Sequence, residues 1–307
     1  MVPLISSLCY GPLEVCQLPR LWWKVTLRAT GLLDDEYPQA SRGLDARVIE
    51  ALDIDEEETL TYIRSKLPDY LSFEAWVVAQ RSGEGKTTTT SDTNGVIDDW
   101  NAAVRGRIHE RPEKIQETYK DIGWSTDEVH VNSAVILNSL QDWQLFYKRD
   151  LNSDFSRFGN TIVPLISTLD YGPMEVCQLP RTWLKVLLRA KNLLHDDYPD
   201  MTTDGLDPRA LEAVGIAPDK AVDFIRGTLP SYTDFEAWIL EQNGGALDRA
   251  RIDEWNQFVR TRDHMEAKQK DIKSTLGRED VESITRAAIL NHIEDMHLAH
   301  EVLMRHV

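Results

Sequence analysis

Residues 10–30, YGPLEVCQLPRLWWKVTLRAT, and residues 171–191, YGPMEVCQLPRTWLKVLLRAK, are two versions of one stretch. Cys16 and Cys177 set the offset, 177 − 16 = 161, and it holds without a gap across both strings. Self-similarity of this kind points to a duplicated unit, to be recognised before any fold is assigned. Leu18-Pro19 and Leu179-Pro180 predict helix starts, because proline is pre-set for the first turn and needs no donor there. Beyond them Arg20, Lys24 and Arg28 stand four apart, as do Arg181, Lys185 and Arg189. Residues at that spacing share a helix face, so each copy carries a stripe of like charges that repel by roughly 0.2–0.5 kcal/mol per pair. Something anionic should face each stripe. Either Asp and Glu elsewhere in the fold neutralise it, or it binds an anionic or carbonyl-bearing small molecule. The other faces, with Trp22, Val25 and Leu27 or Trp183, Val186 and Leu188, ask for a core.

The chain has 307 residues, a formal charge of −17 and 42% apolar residues, which suits two ordinary domains with real cores. The acidic balance argues against nucleic-acid and anionic-membrane partners. No apolar run approaches the ~20 residues of a spanning helix. The first residues, MVPLISSLCYGPLEV, lack a basic n-region and do not read as a secretory signal. Three cysteines, Cys9, Cys16 and Cys177, fit reduced thiols in the cytoplasm.

Each copy continues with an acidic turn, Asp34-Asp35-Glu36-Tyr37-Pro38 or His195-Asp196-Asp197-Tyr198-Pro199. The consecutive acids read as internal counterions of the stripe rather than as a metal motif. Asp45 and Asp207 read as caps of short helices over 46–52 and 208–214. Further helices are expected from Asp55 to Leu67 and from Asp219 to Leu229. After Pro68 and Pro230, Phe73 with Trp76 and Phe235 with Trp238 form apolar helix faces, and Thr233 with Glu236 reads as a capping box. Residues 83–95 are inserted only in the first copy. Their Gly85-Lys86-Thr87 is not a phosphate loop, since Gln80 stands where the pattern needs glycine; the insert reads as a polar loop. Asp99-Trp100-Asn101 and Glu254-Trp255-Asn256 place an asparagine in mid-helix, which predicts a buried polar contact to backbone or to ligand. Ser125 with Glu128 reads as a capping box for the closing helix of the first copy. On the closing helix of the second, His297, His300 and Glu301 share a face. The first copy has Gln144, Tyr147 and Lys148 there, so a solvated terminal helix is preferred to a metal site. No strand alternation is found. The expected fold is all-α: helical domains over 1–150 and 164–307 joined by a linker over 151–163, related by a pseudo-twofold axis as in a fused dimer, and monomeric.

The ordered motifs Leu-Pro-Arg, a Lys four on, Gly-Leu-Asp, an Ala-Trp helix and Trp-Asn, present in both halves, resemble the domain of unknown function numbered 5069. The resemblance covers most of the chain and implies no activity and no functional residue. The tandem arrangement and the 83–95 insert depart from that single short domain.

No dinucleotide fingerprint, complete phosphate loop, Gly-x-Ser-x-Gly elbow or paired zinc motif is present, so no cofactor and no metal are expected. What remains is a cofactor-independent enzyme of secondary metabolism acting on a hydrophobic, carbonyl-bearing small molecule by cyclisation, cycloaddition, isomerisation or elimination. Arg20, Lys24, Arg181 and Lys185 would be the catalytic donors. Tyr10, Trp22, Tyr171 and Trp183 would form aromatic walls, with Asn101 and Asn256 as further binding residues. The alternative is a non-catalytic scaffold binding a small molecule or a protein. Cys16 and Cys177, before a helix start, are read as packed thiols or, on the functional reading, as nucleophiles.

Overall fold

In the computed structural model, which describes residues 1–82 and 90–306 (side chains of 90–94 and 157 excepted), the backbone folds into helices with no strand among the described residues. The first half holds α1 (Leu18–Ala29), α2 (Leu44–Ala51), α3 (Glu56–Lys66), α4 (Tyr70–Arg81), α5 (Thr90–Arg105), α6 (Pro112–Ile122) and α7 (Ala134–Lys148). The second holds α8 (Leu179–Ala190), α9 (Leu206–Ala213), α10 (Pro218–Thr228), α11 (Tyr232–Gln242), α12 (Arg249–Thr261), α13 (Glu266–Leu276) and α14 (Ala287–Met304). Two one-turn 3-10 segments, Asp150–Asn152 and Ser156–Phe158, lie between the halves. No helix among the described residues is long and apolar enough to cross a membrane. The stretch 83–89, with Gly85-Lys86-Thr87, lies outside the described residues.

Helix starts follow local chemistry. Pro19 and Pro180 occupy the first turns of α1 and α8. Asp55 caps α3 through Glu58 N at 2.8 Å, and Asp69 caps α4 through Ser72 N at 2.8 Å. Four expected caps are corrected. Ser231, not Thr233, caps α11, and Glu236 is turned inward, where it accepts from Tyr232 Oη at 2.8 Å. Ser125 and Glu128 lie in a loop, and α7 starts only at Ala134, behind Ser133. α2 and α9 begin at Leu44 and Leu206, behind Gly43 and Gly205, which places Asp45 and Asp207 inside the first turn with their carboxylates buried.

The Tyr-Gly-Pro motif has a steric reason. A Cβ on Gly11 would stand 2.3 Å from the Tyr70 ring, and one on Gly172 would stand 2.4 Å from the Tyr232 ring. Those tyrosines give their hydroxyls to Glu74 and Glu236 at 2.6 and 2.8 Å. Trp22 and Trp183 are wholly buried and donate to the carbonyls of Pro68 and Pro230 at 2.9 and 3.0 Å.

The halves interlock reciprocally. Trp143 of α7 packs edge-on against Tyr232 of α11 at 4.8 Å, and His300 of α14 lies 6.0 Å from Trp22 of α1. Tyr147 donates its hydroxyl to Leu229 O at 2.8 Å, and His300 Nε2 donates to Leu67 O at 2.9 Å. Leu67 and Leu229 both sit in the left-handed region, with φ 44° and 46°, at the ends of α3 and α10. His292 bridges the halves too, donating from Nδ1 to Tyr10 O at 2.8 Å and accepting from Ser167 Oγ at 2.5 Å. Burial pushes its pKa down to about 4, so the ring is neutral at pH 7. The terminal helix is therefore a packed wall rather than a solvated one, and no metal-holding cluster occurs among the described residues.

Candidate functional site

The first two cations of each stripe border a cavity and are held by acids distant in sequence. Arg20 meets Asp142 at 2.7 Å and donates to the carbonyls of Pro3 and Ile5 at 2.7 Å each. Arg181 meets Asp295 through two bonds, 2.7 and 3.0 Å, and also donates to the carbonyls of Pro164 and Ile166. Burial works against the Arg181 charge, but Asp295 outweighs it and holds the guanidinium pKa above its ordinary value. Lys24 pairs with Asp45 at 2.6 Å and Lys185 with Asp207 at 2.7 Å. Burial would raise both aspartate pKa values; the lysine charges and hydrogen bonds bring them below the usual carboxylate range. The acidic turn is not the main counterion. Arg28 reaches Asp35 only at 3.5 Å, in solvent, while Asp34 and Glu36 pair with Arg149. The turn contributes a tyrosine instead: Tyr37 Oη donates to Asp142 at 2.7 Å and Tyr198 Oη to Asp295 at 2.6 Å. Burial and the adjoining carboxylate push both phenol pKa values up, so both stay protonated.

The cavity of the first half encloses about 700 Å³ and is lined by Gln17, Arg20, Lys24, Tyr37, Asp45, Arg107, His109, Asn138 and Asp142 among others. The second encloses about 620 Å³ and is lined by Gln178, Arg181, Lys185, Tyr198, Asp207, Arg209, Phe258, Arg262, His264 and Asn291 among others. Glutamine, arginine, lysine, tyrosine, aspartate, a second arginine, histidine and asparagine recur at matched positions; Asp142 borders only the first cavity, and Arg209 and Phe258 only the second. In each, a histidine donates from Nε2 to an asparagine Oδ1: His109 to Asn138 at 3.1 Å, and His264 to Asn291 at 2.8 Å. Burial lowers both imidazole pKa values, leaving neutral rings whose Nδ1 is an acceptor.

Two features of these walls are unsatisfied. Gln17 and Gln178 are each only 3% exposed, and each amide is oriented by its Nε2 donating to Asp45 or Asp207, at 2.7 and 2.9 Å. Their Oε1 atoms accept from no group, and both residues hold left-handed backbone, φ 75° and 73°. Such a conformation costs a non-glycine residue on the order of 1–3 kcal/mol and gathers at functional positions. A buried acceptor without a donor costs a further ~1–3 kcal/mol. The second feature is arginine. Arg107 has a buried Nη1 without a partner, and Arg262 has no carboxylate within ion-pair distance among the described residues. Burial and then Arg209 bring the Arg262 pKa down to about 10.

Of the expected donors, Arg20, Lys24, Arg181 and Lys185 do line the cavities, but their hydrogens are engaged by acids and carbonyls. The expected walls are elsewhere. Trp22 and Trp183 are core, and Tyr10 and Tyr171 line neither cavity. Asn101 accepts from Cys16 N at 2.9 Å and donates to Glu14 O at 2.6 Å; Asn256 does the same with Cys177 N and Glu175 O. Their amides thus brace the loop before α1 and α8. Cys16 and Cys177 are fully buried, and burial pushes both thiols up to about 11, which removes the nucleophile reading. The sequence reading missed Gln17, Gln178, His109 and His264. Arg-x-Arg-x-His at 105–109 and at 260–264 was a shared signal that could have found the histidines.

Comparison with known protein families, with curated proteins and with solved structures finds no match.

Proposed function

We propose that each half of the chain binds a small polar molecule in its own cavity, without a cofactor, as a ligand-binding body built by internal duplication about a pseudo-twofold axis. The observation that carries the reading is the unpartnered Oε1 of Gln17 and of Gln178, each held by its aspartate and each bordering a cavity. A bound hydroxyl or amine supplies the missing donor. Duplication is supported by the reciprocal contacts of α7 and α14, as an isologous dimer would make. The resemblance of each half to the domain of unknown function numbered 5069 belongs to the same proposal. The test is saturation-transfer NMR of the intact chain in a defined mixture of hydroxy acids, amino acids, sugar phosphates and phenolic ketones. Wild type gives transfer to a hydroxyl- or amine-bearing member, and Gln17→Leu with Gln178→Leu abolishes it while circular dichroism shows the chain still folded at the assay temperature. Transfer unchanged in the double variant, or none in wild type, sinks the reading.

A second reading, the cofactor-independent enzyme acting on a hydrophobic, carbonyl-bearing substrate, is favoured by one observation. A neutral imidazole is held by an asparagine at the wall of each cavity, as a general base is held by its orienting group. On this reading His109 and His264 move the proton, Tyr37 and Tyr198 are donors, and the Arg–Asp and Lys–Asp pairs hold the walls. Turnover that survives His109→Gln with His264→Gln would exclude it.

A further inference from the structure

We infer that the ligand is an organic oxyanion, its carboxylate or phosphate held by Arg209 and Arg262 in the second half and by Arg47 and Arg107 in the first. The inference rests on the reading of the cavities as ligand sites and adds the ligand's charge. In a chain of formal charge −17, a buried or half-buried arginine without an acid partner is unexpected, yet the matched positions 107 and 262 both have one. Arg209, itself exposed, lines the same cavity as Arg262, and its guanidinium carbon stands over the Phe258 ring, 4.0 Å from the centroid. In the first half, Arg47 and Arg107 line a cleft of about 570 Å³ that shares Arg107 and His109 with the main cavity.

The remaining acids of the second wall do not neutralise the pair. Asp263 faces Arg286 at 3.6 Å, Glu294 faces Lys268 at 3.7 Å and Asp197 lies 3.8 Å from His195, which leaves Asp204, itself exposed. Two guanidinium groups bordering one cavity, with planar forks suited to bidentate oxyanions, are the chemistry of carboxylate and phosphate recognition. Arg209 opposes the charge on Arg262, and a bound anion relieves that repulsion. The Gln178 acceptor on the same wall then selects anions that also carry a hydroxyl or amine.

The experiment is thermal unfolding of the whole chain with inorganic phosphate, benzoate or the neutral isostere benzamide, each against chloride at equal ionic strength. Phosphate or benzoate is expected to raise Tm by ~2–4 °C, through preferential binding to the folded state. The two arms distinguish a phosphate from a carboxylate preference. Arg209→Met with Arg262→Met, joined to Arg47→Met with Arg107→Met, should erase the shift, and Arg262→Lys should keep part of it. Ligand-free, Arg262→Met should melt no lower than wild type, which separates lost binding from lost folding. No shift with either anion beyond chloride, or a shift that survives the fourfold variant, overturns the inference. A shift with benzamide equal to that with benzoate overturns the charge requirement and leaves the cavities as ligand sites.

Discussion

The two cavities share a plan and differ in their outer wall. Phe258 stands where the first half has Ala103, so Arg209 lies on a ring and Arg47 does not. Thr182 stands where the first half has Leu21, and it gives Asp207 an extra bond at 2.9 Å; Thr202 Oγ1 donates to Asp207 at 3.3 Å where the first half has Ser41 N donating to Asp45 at 2.7 Å. Arg181 grips Asp295 with both nitrogens, whereas Arg20 reaches Asp142 with one. Asp170, wholly buried, replaces Cys9. The features left unchanged are the Gln–Asp–Lys set, the His–Asn pair and the lone arginine. Those are the groups a ligand would touch; the altered ones tighten or soften the frame around them.

The largest expected effect tests that frame. Asp207→Ala strands Lys185 in the interior and should cost ~3–5 kcal/mol, measured by urea unfolding. Asp45→Ala should cost ~1 kcal/mol less, since its carboxylate has fewer partners; equal losses would deny the second frame its greater tightness. Next comes pH. Burial raises the Glu74 and Glu236 carboxyls from 4.5 to about 7, and Asp170 from 3.8 to about 7. The folded chain then holds these protons more tightly than the unfolded one, so their contribution is fully present below pH ~4 and is lost as pH rises to 7. Each group should contribute on the order of 3–4 kcal/mol of that decline. Asp170→Asn should remove one share, which only the second half has; a denaturation midpoint that does not fall between pH 5 and 7.5 contradicts this. A smaller effect concerns the ring: Phe258→Ala should lose ~0.5–1 kcal/mol through Arg209, and Ala103→Phe should recover a similar amount through Arg47 if the outer wall is the difference that matters. Smallest of all, Cys16 and Cys177 should be equally inert to a maleimide at pH 7 in the folded chain; rapid labelling of either would show that its half opens.

Part of this was legible in the sequence. Charge spacing and proline located α1 and α8, and repetition showed that the stripe mattered, because both signals are local. The stripe's partners were not legible. Arg181 and Asp295 are 114 residues apart, and a helix period says which face a side chain occupies but not what stands opposite. Trp22 was read as a cavity wall for the same reason: a buried face and a lined cavity leave one apolar pattern. Asp45 was misread as a cap because capping statistics describe a boundary, and here the cap is Gly43, two residues upstream of the expected one. Gln17 recurs as Gln178 in the repeated stretch, but nothing in its residue type marks it. Its role comes from a left-handed backbone angle that no residue-type preference foretells.

The reciprocal clasp of α7 and α14 has a consequence for any attempt to divide the chain. α7 carries Asn138, Gln141 and Asp142 toward its own cavity while Trp143 and Tyr147 are lodged in the opposite half. Severed between the halves, each piece would bare an aromatic flank and lose the groups that plug the ends of α3 or α10. The linker thus does the task of concentration: it keeps at hand, at any dilution, the mate that a free-standing half would have to find in solution.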